Sequence, residues 1–191
     1  PSILGDNMVL QQQAEVKLWG KARPNATVTV KTSWNGQTYK FSSDGKGGWS
    51  LTVSTPVAGG PYKIIFNDGE LLTLQNVLIG EVWFCSGQSN MEMPMGCFDR
   101  QPVRGANDII AKAKPSTPIR MYTTDSKDGR WVRQFSKTPA EDCQGEWLEN
   151  TPVNVSHISA VSYYFARYIQ EVLEVPVGIV VSTWGGSRIE A

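Results

Sequence analysis

The run Val77-Leu78-Ile79-Gly80-Glu81-Val82-Trp83-Phe84-Cys85 constrains this chain more than any other stretch. Nearly continuous apolarity over that length suits a strand buried on both faces, the habit of parallel strands covered by helices. A second run of the same kind, Val177-Gly178-Ile179-Val180-Val181-Ser182, lies near the far end. Between them Ile158, Val161, Phe165, Tyr168, Ile169 and Val172 recur at three- and four-residue steps. That spacing predicts an amphipathic helix, capped at Ser156 or Asn154 and ended by Pro176. Strand, helical crossover and strand make a βαβ unit, so the two strands should be parallel and the crossover right-handed. Each strand runs into small residues, Ser86-Gly87 in one case and Thr183-Trp184-Gly185-Gly186 in the other. Both turns therefore fall at the carboxyl edge of the sheet, where open α/β sheets take their ligands.

Ahead of residue 76 the pattern is different. Val16-Lys17-Leu18-Trp19, Thr27-Val28-Thr29-Val30-Lys31, Gln37-Thr38-Tyr39-Lys40-Phe41, Trp49-Ser50-Leu51-Thr52-Val53 and Tyr62-Lys63-Ile64-Ile65-Phe66 alternate with a period near two. Asn35-Gly36, Gly45-Lys46-Gly47-Gly48 and Asp68-Gly69 supply turn residues between them. This predicts a β-sandwich of antiparallel neighbours over residues 1–75, followed by an α/β domain over residues 76–191. The stretch from Gly96 to Asn150 has mixed character and reads as an excursion around the core, with a short helix over 107–113.

Composition narrows the function classes. Lys and Arg total 18, Asp and Glu total 18, so the basic excess of a nucleic-acid or anionic-membrane binder is missing. No run approaches the roughly 18 apolar residues of a membrane span. The start, Pro1-Ser2-Ile3, shows no leader, which fits either a cytosolic chain or one whose signal peptide has been removed. Cys85, Cys97 and Cys143 are too few and too spread for a disulfide scaffold or zinc site, although a Cys97–Cys143 bridge is conceivable. The single histidine, His157, leaves little material for a metal centre. Seven tryptophans are an excess that either sugar stacking or a large core would use, and the core reading suits most of them.

Chemistry concentrates in Gly87-Gln88-Ser89-Asn90-Met91, a serine on a tight turn directly after a buried strand. Such a hydroxyl is a plausible nucleophile, although serine in turns also commonly bonds its own backbone. The second glycine turn shifts the balance, because backbone N–H groups of Gly185 or Gly186 beside it would stabilise the oxyanion of an acyl-transfer intermediate.

The block Gly80-Glu81-Val82-Trp83-Phe84-Cys85-Ser86-Gly87-Gln88-Ser89-Asn90-Met91-Glu92-Met93-Pro94 resembles the nucleophile block of the sialate O-acetylesterase family, a branch of the SGNH hydrolases. Three further blocks are similar to that family in the same order. They are Asp6-Asn7-Met8-Val9-Leu10-Gln11, Ser159-Ala160-Val161-Ser162-Tyr163-Tyr164-Phe165-Ala166-Arg167, and the stretch from Val175-Pro176-Val177-Gly178 to Ser182-Thr183-Trp184-Gly185-Gly186-Ser187-Arg188-Ile189-Glu190-Ala191. The resemblance implies a β-sandwich ahead of a three-layer α/β/α, flavodoxin-like SGNH-hydrolase domain of which this chain holds the first part. It further implies a secreted, periplasmic or lysosome-like enzyme, freed of a signal peptide, that removes O-acetyl groups from sialic acid or from xylan-type polysaccharides. Ser89 is then the nucleophile, and its own N–H with that of Gly186, or Gly185, gives two of three oxyanion donors. Gln88, Asn90 and Trp184 are candidate substrate contacts, and no metal or organic cofactor is implied.

The departures bear on mechanism. The family's third oxyanion donor comes from a block with a Gln-Gly-Glu core, and its general base from a late Asp-x-x-His-type block; the expectation is that this chain holds neither. Ser187-Arg188 stands where the family usually has Thr-Pro. The expectation is an esterase front portion, completed by a C-terminal part or a second chain. His157 begins the crossover on the same edge, but its family position is not that of the catalytic histidine. Glu92 and Asp99 read as exposed loop carboxylates. Asn25-Ala26-Thr27 and Asn154-Val155-Ser156 fit the weak N-glycosylation pattern. The rival reading is a non-catalytic carbohydrate-binding or scaffold module.

Overall fold

The computed structural model describes residues 2–127, 130–131, 138 and 142–187; Arg188, in the departure from Thr-Pro, lies outside them. In chain order the elements are β1 (Val9–Gln11), β2 (Glu15–Lys21), β3 (Thr27–Thr32), β4 (Thr38–Ser42), β5 (Gly48–Ser54), β6 (Gly59–Asn67) and β7 (Leu71–Gly87). Helices α1 (Ser89–Glu92) and α2 (Ala106–Lys112) follow, then β8 (Ile119–Thr123), β9 (Ser126–Lys127), β10 (Arg130–Trp131) and β11 (Trp147–Glu149). The last are α3 (Pro152–His157), α4 (Ala160–Leu173) and β12 (Val177–Thr183).

Strand β7 organises the molecule. It runs 17 residues without a break, straight across position 76 where the hydropathy pattern changes. Its first half pairs antiparallel with β6 and its last seven residues pair parallel with β12, from Glu81 opposite Val177 to Gly87 opposite Thr183. Asn76 makes the passage possible by taking a left-handed conformation, φ 54°, that asparagine tolerates better than most residues. β12 pairs parallel with β8, and β11 lies antiparallel beside β8, so the main sheet runs β11-β8-β12-β7-β6-β3-β4, with β1 parallel to β7 at residues 78–80. The result is a mixed α/β fold in which the parallel β7–β12 pair expected of the βαβ unit is present. The expected excursion is more than a loop, because it contributes β8, all buried from Ile119 to Tyr122, to the heart of the sheet.

In the front part the expected strands form, but not all as consecutive antiparallel neighbours. β3 and β4 make a hairpin through Asn35-Gly36, whereas β2 pairs with β5 in a separate two-stranded sheet. Leu18 of β2 and Val53 of β5 are buried in one cluster with Val28 and Val30 of β3, Ile64 and Phe66 of β6, and Leu74 of β7. A second cluster joins Tyr163 and Ala166 of α4 to Ile179 and Val181 of β12 and to Ile119 and Met121 of β8. Each such buried side chain is worth about 1.5–3 kcal/mol of hydrophobic stabilisation before conformational entropy is subtracted. Trp147 is buried and Trp34 and Trp49 pack against the front core cluster, whereas Trp19 and Trp83 are substantially exposed.

Helix α4 starts two residues later than the periodicity indicates. Its cap is Ser159, whose Oγ accepts the Ser162 N–H at 3.3 Å, while Thr151 caps the separate α3. Cys85, Cys97 and Cys143 are all free thiols, so the Cys97–Cys143 bridge is not formed.

Candidate active site

β7 delivers its last residues to the carboxyl edge of the parallel strands, and α1 begins at once. Gly87 allows that sharp change, since a Cβ there would stand 2.6 Å from Met91 Cγ. The turn is closed by Glu92 N–H donating to Gln88 O at 2.9 Å and Met93 N–H donating to Ser89 O at 3.2 Å. Ser89 is the first residue of α1 and is exposed; its Oγ–H donates to Gln88 Oε1 at 3.2 Å. Gln88 and Asn90 are exposed beside it.

β12 ends in register with β7, and two hydrogen bonds bring its glycine turn against the serine turn. Trp184 N–H donates to Gly87 O at 3.1 Å, and Gly185 N–H donates to Glu92 Oε2. A Cβ built on Gly185 would lie 3.8 Å from Ser89 Cα, which measures how closely the turns approach. Gly186 follows with φ 79° and open space where a Cβ would be. No acceptor among the described residues takes its N–H. The turn closes on Ser187, whose N–H and Oγ–H both donate to Trp184 O, at 3.2 and 2.7 Å.

Ser89, Gln88, Asn90, Trp184, Gly185 and Gly186 therefore meet at one edge, as the sequence places them. The structure distinguishes the two glycines: the Gly185 N–H is committed to Glu92, whereas the Gly186 N–H has no acceptor among the described residues. Glu92 is a correction, for it is a half-buried carboxylate holding the second turn rather than an exposed loop acid. Its signal in the sequence is its place three residues after Ser89, one helical turn along α1. Asp99 is exposed as expected, 3.9 Å from Arg100.

Beside the turns lies a small cleft lined by Glu92 and Phe98 on one side, Thr123 and Glu146 on another, and Asn154 and His157 from α3. His157 ends α3 and is exposed; none of the described hydrogen bonds joins it to Ser89. Glu146 belongs to Gln144-Gly145-Glu146, which corrects the expectation that the chain lacks a Gln-Gly-Glu core, although it is not behind the Trp184 turn. It stands ahead of α4 instead, at the carboxyl end of β8, where Ser126 N–H donates to Gln144 O at 3.2 Å. Gly145 is pressed so closely on β8 that a Cβ would meet Thr123 O at 2.6 Å.

Cys85, at the end of β7, does not compete as a nucleophile, because burial pushes its thiol above the ordinary range against a weaker opposing bond to Ser162. No group of three or more His, Cys, Asp or Glu side chains among the described residues is placed to hold a metal ion. No described helix is long and apolar enough to cross a membrane. A largely apolar cleft in the front part is lined by Trp19, Trp49, Phe66 and Leu72 together with Asp68 and Glu70.

No family model matches the chain. It is 29% identical over 208 residues to the sialate O-acetylesterase of Homo sapiens, a match that covers 100% of this chain and 38% of that protein. The sialate O-acetylesterase of Mus musculus is 28% identical over 204 residues, covering 99% and 36%. The crystal structure of a carbohydrate acetylesterase from Xanthomonas citri superimposes with a TM-score of 0.87 at 34% identity, over 100% of this chain and 41% of that one. The resemblance read from four blocks thus holds along the whole chain, in sequence and in fold. The chain spans a little over a third of the length of the curated relatives it matches.

Proposed function

We propose that this chain carries the nucleophile half of a serine carbohydrate esterase that removes O-acetyl groups from sugars through an acyl-enzyme on Ser89. The observation that carries the reading is the meeting of two turns, from sequence-distant strands, that sets a glycine turn with an uncommitted N–H beside an exposed serine. In the first step Ser89 Oγ bonds to the acetyl carbonyl carbon while the bond from that carbon to the sugar oxygen breaks. The carbonyl oxygen carries the developing negative charge, and the N–H groups of Ser89 and Gly186 stabilise it; one such donor is worth roughly 100- to 1000-fold in rate. The sugar leaves with a proton, and water then releases acetate from Ser89.

The serine proton needs a base. Gln88 Oε1, the acceptor at Ser89 Oγ, is an amide oxygen and does not serve as one at neutral pH. The base belongs, in this reading, to a C-terminal portion or second chain that completes the catalytic domain. The substrate class supported by the relatives' name is O-acetylated sialic acid, taken here as the 9-O-acetyl type, with acetylxylan-type esters as the alternative. In this reading the front part acts as a β-sandwich, supported by the β2–β5 pair sharing a core cluster with β3, β6 and β7, and the enzyme works in a secreted, periplasmic or lysosome-like setting.

Hydrolysis of a chromogenic aryl acetate tests this, comparing the chain with Ser89→Ala and, where it exists, with the longer protein that contains it. Activity lost in Ser89→Ala is the expected outcome, in the chain or in the longer protein. Hydrolysis that persists unchanged in Ser89→Ala overturns the nucleophile. Acetate release from O-acetylated sialic acid against acetylated xylan then separates the two substrates.

A further inference from the structure

We infer that Glu92 is a positioning residue for the acyl-transfer site, the tether that holds the Gly185-Gly186 turn in place against the nucleophile helix. The inference rests on the reading of Ser89 as nucleophile and goes beyond it, because it assigns Glu92 a role through the Gly185 amide rather than at the reacting atoms.

The sequence puts Ser89 and Glu92 on one turn of α1, three residues apart, so that the two side chains rise from the same short helix. Glu92 Oε2 accepts the Gly185 N–H, and the approach is close enough that a Cβ at this position would stand 2.7 Å from that oxygen, so glycine is what admits the carboxylate. A hydrogen bond to an ionised acceptor is roughly twice as strong as a neutral one. Trp184 N–H to Gly87 O supplies a second stitch between the same turns. One stitch is two residues before Ser89 and the other three after it, so the pair brackets the serine.

The consequence is a division of labour between adjacent amides. Were Gly185 N–H unpaired, the turn would pivot on the single Trp184 stitch, and the position of Gly186 N–H relative to Ser89 would be set only by loop entropy. With Glu92 in place the Gly185 peptide is fixed, and Gly186, which needs its left-handed φ of 79° to leave the turn, presents its N–H from a rigid base. Oxyanion donors act by being preorganised, so loosening their support lowers turnover more than ground-state binding.

Amide hydrogen exchange on the chain tests the tether without relying on activity, and aryl acetate kinetics test what it does. Glu92→Ala should speed exchange at Gly185 at least tenfold while core amides of β12 such as Val180 keep their protection; Glu92→Gln, which retains an acceptor oxygen, should restore most of it. In the form that hydrolyses aryl acetate, Glu92→Ala should lower kcat about tenfold to a hundredfold with KM within about twofold, and Glu92→Gln should recover most of the loss. Unchanged Gly185 exchange in Glu92→Ala overturns the tether, and lost protection with kcat unchanged overturns the positioning role. Hydrolysis insensitive to Ser89→Ala overturns the nucleophile reading itself, and is told apart because Gly185 exchange still follows Glu92.

Discussion

Two phenols report on the core one residue at a time. Tyr122 of β8 is fully buried, with its Oη 2.6 Å from Ser2 Oγ and 3.3 Å from Cys143 Sγ. Burial first, then the Cys143 contact, pushes its phenol well above the ordinary range. Burial likewise raises Tyr163, against the opposing effects of Arg167 and of the 2.7 Å bond to Asn150 Oδ1. A raised native pKa means that the folded state binds the proton more tightly. The stability this contributes is complete below the unfolded value of about 10 and is lost as pH rises through the native one. Absorbance of phenolate followed into strong alkali should show two tyrosines that ionise only with unfolding, and Tyr122→Phe should remove one of them. If both ionise with the fold intact, the burial argument fails. The site residues differ in how legible they were. Ser89, Gly185 and Gly186 announce themselves as small residues after apolar runs, whereas the role of Glu92 depends on a partner 93 positions away that only the folded chain supplies.

Elements show where periodicity carries and where it stops. β12 and the front strands were legible because burial imposes their repeat directly, whereas the repeat that revealed α4, Val161, Phe165, Tyr168 and Val172, is its exposed face and the helix buries Ser162, Tyr163 and Ala166 instead. The sequence reading catches β7 only from Val77, because Gln75-Asn76 is polar, yet the strand begins at Leu71 and passes through on the left-handed Asn76. β8 was hidden by Arg120, a charge in the middle of a buried strand, whose guanidinium is paired with Glu149 Oε1 at 3.2 Å. Buried charges are rare unless paired, so a pattern reading takes such a residue for surface. The join between β7 and β12 carries its own prediction. A Cβ at Gly80 would meet Pro176 O at 2.0 Å, and that oxygen already accepts the Glu81 N–H at 2.9 Å. Backbone cannot step aside as a side chain can, so Gly80→Ala should cost about 3 kcal/mol or more. Gly36→Ala, with open space but φ 67°, should cost only about 1 kcal/mol. Urea midpoints at unchanged m-value measure both; a Gly80→Ala no worse than Gly36→Ala contradicts the packing of β7 on the entry to β12.

At the scale of the molecule, β8 and β12 are buried on both faces, whereas β7 leaves an open edge at its carboxyl half. Among the described strands, β7 from residue 81 to 87 is laddered to β12 alone, so its other edge carries backbone groups with no strand beside them. Successive strand residues face opposite ways, and Trp83 meets Phe165 of α4 edge to face at 5.1 Å while Phe84, 69% exposed, looks out of the other face. On α4 the stripe Val161, Phe165, Tyr168 and Val172 is exposed, although the opposite stripe of the same helix is core. An unpaired edge flanked by apolar side chains invites association. The chain on its own should therefore self-associate as concentration rises, and a completing portion or partner should suppress this by covering the edge. Lys placed at Phe84 and Tyr168 adds charge where nothing is buried, so this double variant should sediment as a monomer with its urea midpoint barely moved. A wild-type chain that sediments as a compact monomer at all concentrations would mean that the exposed edge and stripe are tolerated as surface, and the dependence on a second portion would then be catalytic alone.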